Sequence, residues 1–296
     1  MPTERALAAA ALALLLCACA APSGTAVRGD AAIVEPGAVR RAALLLEGEY
    51  VGARVDQPSA RVRLVASVER SSADGVELQL VQSTDDQAPR RFAITLEPGP
   101  FAGRLSGRFA PLDAQGMVRA SCPLEVTVGD GGWLARTQPA TCVFGQGEDA
   151  LALSKEIAVD GRSLVIADRI DGAAAGPHDG VVTVLELLRL SRFEVRAAVR
   201  EAAGSGDWRV AETFELASDG GLFTPVDAAG MSLGIVLELA PYRSGAVTGQ
   251  ASDALLRLRA LDEDGQRVLG QAWADPDARR LGLALPGMQI GLRRLQ

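Results

Sequence analysis

The sequence predicts an all-β protein of two strand-rich domains, and three observations carry that prediction. Apolar and polar residues alternate with a period of two through most of the chain, the alternating runs are short, and turns rich in Gly, Pro and Asp separate them. The one helix expected spans residues 38–48, where Ala42 to Leu46 is an apolar run of helix formers, with a strand over 49–55 competing for its end. Residues 61–69 alternate in part and residues 76–82 cleanly, and the turn residues at 71–75 make the two a hairpin. Strands follow at 91–96, 103–109, 124–128, 133–137, 151–159 and 163–167. Glu97-Pro98-Gly99-Pro100, Gly129-Asp130-Gly131-Gly132 and Asp160-Gly161 divide them, with φ fixed at Pro and positive φ open to Gly. So many short strands in one segment indicate a barrel or a sandwich.

Loop signals at 173–180 place the domain boundary, giving a first domain over 41–179 and a second over 180–296. Residues 181–190 form an apolar run broken by Glu186 and Arg189, compatible with a central strand or a helix. Phe193, Val195, Ala197 and Val199 share one face of the next run, and strands over 208–216, 234–239, 255–261, 267–274, 280–285 and 288–292 complete the series. Asp262-Glu263-Asp264-Gly265 and Asp275-Pro276-Asp277 are its tight turns. The halves show no sequence repeat.

The N-terminus sets the compartment. An apolar run over 6–16, too short to cross a bilayer, follows the charged start and reads as a secretory signal. Leu16-Cys17-Ala18-Cys19 resembles the lipobox at which bacterial lipoproteins are cut and acylated, so residues 1–18 are expected to be removed and Cys19 to carry the lipid; a simple signal cut after Ala20 or Ala21 is the competing reading. Residues 19–40, rich in Ala, Gly, Pro and Ser, form a flexible tether. In a Gram-negative cell, Ala20 in place of Asp after the lipidated Cys directs the protein to the outer membrane, lipid-anchored and facing the periplasm. The membrane is thus an expected partner.

In an oxidising compartment Cys122 and Cys142 are expected to form a structural disulfide. The one histidine, His178, lies in a Gly/Pro-rich loop, which leaves neither a metal set nor a Ser-His or Cys-His arrangement, and the cysteines are too far apart for a redox pair. No cofactor is expected. With 30 basic and 37 acidic residues the chain is acidic, and its arginines, scattered among Asp and Glu, form no basic patch in the sequence, so nucleic acid is not an expected partner.

Leu46-Glu47-Gly48-Glu49-Tyr50, Pro89-Arg90-Arg91-Phe92, Cys122, the block Gly131-Gly132-Trp133-Leu134-Ala135-Arg136-Thr137-Gln138-Pro139, Cys142 and Val165-Ile166-Ala167-Asp168-Arg169 occur in that order. Together they resemble the CpeT/CpcT-type family over residues 42–179, the Cys-turn-Cys block being the most specific part. Ser121 stands where the family often has Gly before the first Cys, and the chain is poor in aromatics. The resemblance implies a calycin-like antiparallel barrel with an open cavity, of the kind that holds a bilin and helps attach it to a phycobiliprotein. An exported chain has no phycobiliprotein to serve, so the container transfers and the lyase activity transfers poorly.

Trp133, Tyr50, Phe92 and Arg169 are the candidate ligand contacts; each also has a structural reading, packing for the aromatics and an ion pair for Asp168-Arg169. Phe101 and Phe109 are further possible lining residues. Lys155, the only lysine, reads as a surface residue beside Glu156, and the Asp85-Asp86 and Glu263-Asp264 pairs as solvated turn acids with no partner base. The expectation is a non-enzymatic exported lipoprotein whose barrel binds or shields a small apolar ligand. The alternative is a structural or interaction lipoprotein with a filled barrel, and a bilin-lyase-like activity ranks third.

Overall fold

In the computed structural model, the alternation read from the sequence closes on itself. The structure describes residues 37–85, 87–118, 120–138, 141–145, 150–172, 181–200, 206–243 and 254–295. The signal, residues 19–36 of the expected tether with Cys19, His178 and the expected boundary loop at 173–180 lie outside them, whereas residues 37–40, expected as tether, form the first turn of the helix, where Val39 is buried in the core.

One helix, α1 (Gly37–Leu46), precedes β1 (Gly48–Arg54), β2 (Gln57–Ser71), β3 (Val76–Thr84), β4 (Gln87–Pro98), β5 (Arg104–Leu112), β6 (Cys122–Val128), β7 (Trp133–Thr137), β8 (Val143–Phe144), β9 (Leu151–Val159), β10 (Ser163–Gly172) and β11 (Val181–Arg189). All but β8 form a closed ten-stranded antiparallel barrel, in which β9 pairs with both β7 and β10 and β11 pairs with both β10 and β1. The two-stranded pairing of β8 on β9 sits outside that circuit. The apolar run at 181–190 is therefore a barrel strand, and the first domain extends past residue 179. The reason is geometric: without β11 the edges of β1 and β10 would each expose a row of unpaired backbone groups.

Inward-facing positions fill one half of the lumen. Leu64, Leu78, Leu80, Ile94, Leu96, Leu164 and Leu187 are fully buried there. A ten-stranded barrel is wider than the eight-stranded kind whose side chains just fill it, and α1 supplies the missing volume. Val39, Ala42, Ala43 and Leu46 form its buried face and belong to the barrel core.

The carbonyl end of α1 enters this dry space, where its last C=O groups need partners. The barrel provides them. The Tyr50 hydroxyl lies 3.1 Å from the Leu45 carbonyl and 3.0 Å from that of Leu46, and Trp133 Nε1 donates to the Ala42 carbonyl at 2.8 Å. Arg189 donates to the carbonyls of Glu47 and Leu45, each at 2.6 Å, to the Gly161 carbonyl at 2.8 Å and to the Tyr50 hydroxyl at 2.8 Å. Its guanidinium also lies over the Tyr50 ring, 5.0 Å from the centroid. The chain passes this cluster at Gly48, with φ of 142°, where a Cβ would sit 2.5 Å from the Arg189 guanidinium. At Gly132, before Trp133, a Cβ would lie 2.0 Å from the Val159 carbonyl.

The second domain comprises β12 (Arg192–Arg200), β13 (Trp208–Val210), β14 (Phe214–Ala217), β15 (Leu222–Phe223), β16 (Ile235–Arg243), β17 (Ala254–Asp262), β18 (Val268–Ala274), β19 (Arg280–Leu285) and β20 (Met288–Arg294). A five-stranded sheet is built on β12, β20 and β19 with β13 and β14 along the outer side of β12, and a four-stranded sheet runs β15-β16-β17-β18. Phe193, Val195, Ile290 and Leu292 of one sheet share a core with Leu237, Leu239 and Leu258 of the other. The expected strand over 208–216 is two short strands, and the Asp275-Pro276-Asp277 turn links strands of different sheets. The domains are tied by Arg61 on the Gly220 carbonyl at 3.1 Å, by Arg192 on Glu49 at 3.4 Å and by Arg162 on Asp277 at 2.5 Å.

Two outcomes follow from the α1 seat. Arg189→Ala leaves helix-end carbonyls unpaired in the barrel end and should lower the unfolding free energy by about 2–4 kcal/mol, read by urea denaturation. Burial, opposed by the charge of Arg189, pushes the Tyr50 hydroxyl up from its ordinary 10.0 to about 12. A raised value makes its contribution complete below pH about 10 and loses it as pH climbs toward 12. Stability should fall over that interval, and Tyr50→Phe should flatten the fall.

Candidate functional site

The end of the barrel opposite α1 is different in chemistry. Along β9 the inward positions read Leu153, Lys155, Ile157, Val159, and along β10 they read Leu164, Ile166, Asp168, Ile170. The register sets Lys155 directly opposite Asp168, and the ammonium and carboxylate form a close ion pair. Lys155 is a buried residue with a side chain only 4% exposed, whereas 26% of the Asp168 side chain reaches solvent. The surface reading of Lys155 is therefore corrected. Its strand position shares the inward face with Ile157 and Val159, and that same alternation was present in the sequence.

Aromatic rings surround the ammonium. Lys155 Nζ lies 4.4 Å from the Phe109 ring centroid and 5.9 Å from that of Phe92, and the two rings are 5.4 Å apart. The Arg90 guanidinium also lies over the Phe92 ring, 5.4 Å from its centroid. Cation–π attraction in such a partly dry setting is worth about 1–2 kcal/mol. Burial holds the Lys155 amine below its usual value, and the attraction of Asp168 opposes that shift. The Lys155 backbone N–H donates to Thr137 Oγ1 at 2.9 Å, which fixes the strand there.

Exposure grades outward from this layer. Phe92, Gln82, Leu153 and Thr183 are half-buried, and Ile170, Val181 and Leu151 are exposed at the rim. At this mouth of the barrel, apolar side chains become more exposed toward the rim, above a paired charge. Cys122 lies opposite Phe109 in the register and is bonded to Cys142, with Cα atoms 4.9 Å apart. The Cys142 carbonyl in turn accepts the Leu153 N–H at 2.8 Å, so the disulfide holds the segment before β9 against the mouth. A loop of this length contributes about 3 kcal/mol on the chain-entropy model.

Of the four sequence candidates for ligand contact, Phe92 belongs to this mouth. Tyr50 and Trp133 lie at the opposite, sealed end, with their polar atoms committed to α1. Arg169 alternates to the outside of β10, where its Nε meets Asp171 at 2.9 and 3.1 Å. Phe109, named as a possible lining residue, joins Phe92, and Phe101 is exposed. Asp168, read from the sequence with Arg169 as an ion pair or an anchor, pairs with Lys155 instead, and Lys155 and Arg90 are the members that sequence reading did not assign to the site.

Two sizeable cavities lie outside the lumen. One of about 650 Å³ runs between the domains, with Val51, Ala53 and Leu188 of the barrel facing Glu238, Ala240 and Asp219 of the sandwich. Another of about 850 Å³ lies at an end of the sandwich and is lined mainly by arginine. The second corrects the expectation of no basic patch: the Arg279-Arg280 and Arg293-Arg294 pairs are separated along the chain but are neighbours in the sheet. Comparison with protein-family models, with curated proteins and with solved structures finds no match for this chain.

The ion pair has a measurable signature. Lys155→Met strands the Asp168 carboxylate and should cost about 2–4 kcal/mol, whereas Lys155→Met combined with Asp168→Leu should return to within about 1 kcal/mol of the parent. Urea melts of the two single variants and the double variant would give the coupling.

Proposed function

We propose that the chain is an exported, lipid-anchored envelope protein of CpeT/CpcT type that holds a small apolar ligand in the open end of its barrel without transforming it. The observation that carries this reading is the mouth itself: a closed ten-stranded barrel sealed at one end by α1, with the half-buried Phe92 and its neighbour Phe109 at the other. An apolar ligand entering there would cover Phe92 and Leu153 and gain about 25 cal/mol for each Å² of apolar surface removed from water. The Lys155–Asp168 pair at the base gives a polar end of such a ligand one donor and one acceptor group. The order of Gly48, Tyr50, Cys122, Trp133, Cys142 and Asp168-Arg169 supports the family reading, and the barrel is compatible with it. Anchoring through Cys19 at the outer membrane, facing the periplasm, rests on the lipobox-like sequence.

A second reading has its own support. The sealed half is packed with side chains and two sizeable cavities lie outside the lumen, as expected of an envelope protein that acts through its surfaces. Native mass spectrometry of the protein purified from its own host separates the two. The ligand reading expects a bound small molecule, or a thermal shift with haem, a bilin or a fatty acid, that Phe92→Ala weakens about tenfold and that substitution of the outward-facing Arg169 leaves intact. Recovery of bare protein, with no shift from any of these, would sink it in favour of the second. Cys19→Ala should release the protein from membranes, and unchanged membrane association would refute the anchor.

A further inference from the structure

The arginine cleft lies where the start of β12, the start of β19 and the end of β20 meet. Arg192, Arg279, Arg280, Arg293 and Arg294 line it, with Asp277 as its one acidic wall residue. This concentration of positive charge stands on a chain whose net charge is −7.

The neighbours neutralise the cleft unequally. Arg192 is met by Glu215 at 2.7 Å and by Glu49 at 3.4 Å, and Arg293 by Glu194 at 3.0 Å. Arg294 is fixed by the Pro276 carbonyl at 2.8 Å, by the Ser191 hydroxyl and by Asp277 at 3.7 Å. Arg279 and Arg280 are both exposed, and among the described residues neither is in an ion pair. Two guanidinium charges are therefore left over.

The pairing within the sheet makes this arrangement costly. Arg280 stands directly opposite Arg293 on the antiparallel β19–β20 ladder, and the Arg279 carbonyl accepts the Arg294 N–H at 2.9 Å, so the second pair is adjacent as well. Like charges directly opposite on a sheet destabilise it. A surface that concentrates this repulsion, with a cavity of about 850 Å³ in front of it, suits an anion that the protein itself does not supply.

We propose that this cleft binds a phosphate-bearing ligand, with Arg279 and Arg280 as its principal contacts and Arg294, fixed in place, as a third. Two uncompensated guanidinium groups match the charge of about −1.5 to −2 on a phosphate monoester. Their planar forks pair with phosphate oxygens in two-bond contacts. The phosphate belongs either to a soluble metabolite or to a lipid headgroup, and the site is independent of the barrel mouth.

The test uses the full chain at low ionic strength, with inorganic pyrophosphate as the soluble probe. Pyrophosphate should raise the thermal midpoint by about 2–4 °C over chloride of matched ionic strength. Arg279→Gln combined with Arg280→Gln should abolish that rise while leaving the ligand-free midpoint unchanged or higher, because the like-charge contact is relieved. Co-sedimentation with vesicles of phosphatidylcholine, with and without phosphatidylglycerol, assigns the source. Retention that depends on the anionic lipid and on the two arginines places the phosphate on a headgroup, and a pyrophosphate response without such retention places it on a soluble molecule. The proposal is overturned by an equal pyrophosphate response in parent and variant, or by no response to either probe. It is also overturned by a fall in the ligand-free midpoint of the variant, which would make the arginines structural.

Discussion

Between Tyr50, Trp133 and Arg189 the barrel meets the carbonyl end of α1, and that meeting governs the rest of the first domain. A helix of ten residues is marginal alone in water, and its bare carbonyls would be costly inside an apolar barrel. The three side chains remove both objections, since they pair the helix end and bury its apolar face. Arg189 alone joins α1, the β1 start, the β9–β10 turn and the last barrel strand. The helix thereby becomes part of the closure of the sheet.

Sealing one end makes the two ends chemically unlike. At the α1 end apolar side chains surround polar groups that are hydrogen-bonded, the Arg189 guanidinium among them. The far end tolerates an ammonium because Asp168 pairs with it and the ring faces of Phe92 and Phe109 are attractive to it. A buried pair of this kind adds little net stability compared with two well-packed apolar residues.

Period-two alternation made the all-β class and most strands legible, and two cysteines behind a signal-like N-terminal stretch made the disulfide legible. The same alternation holds Lys155 on the face of Ile157 and Val159, but a charged residue beside Glu156 also fits a solvated strand, and only the register with Asp168 decides between them. Residues 181–190 illustrate a different limit. Composition gives an apolar run there, while membership of the barrel depends on partners over a hundred residues away on β1. The arginine cleft is a third case. Two Arg-Arg pairs flanking a predicted hairpin do face one another once the hairpin is drawn, yet the carboxylates that neutralise some arginines and leave others come from β1, β12, β14 and the turn before β19.

The strand order carries a consequence in time. The bonds from Arg189 to α1 span 142 and 144 residues, and β1 cannot complete its pairing until β11 exists. Closing so long a loop is an entropic barrier that must be crossed before the contacts at the seam reward it, and folds dominated by such contacts form slowly. As the chain folds, hairpins such as β2–β3 and β3–β4 can assemble at once and receive the apolar face of α1, but the carbonyl end of the helix has to wait for Arg189. The helix is thus held by its apolar face early and secured at its end only when the last barrel strand arrives.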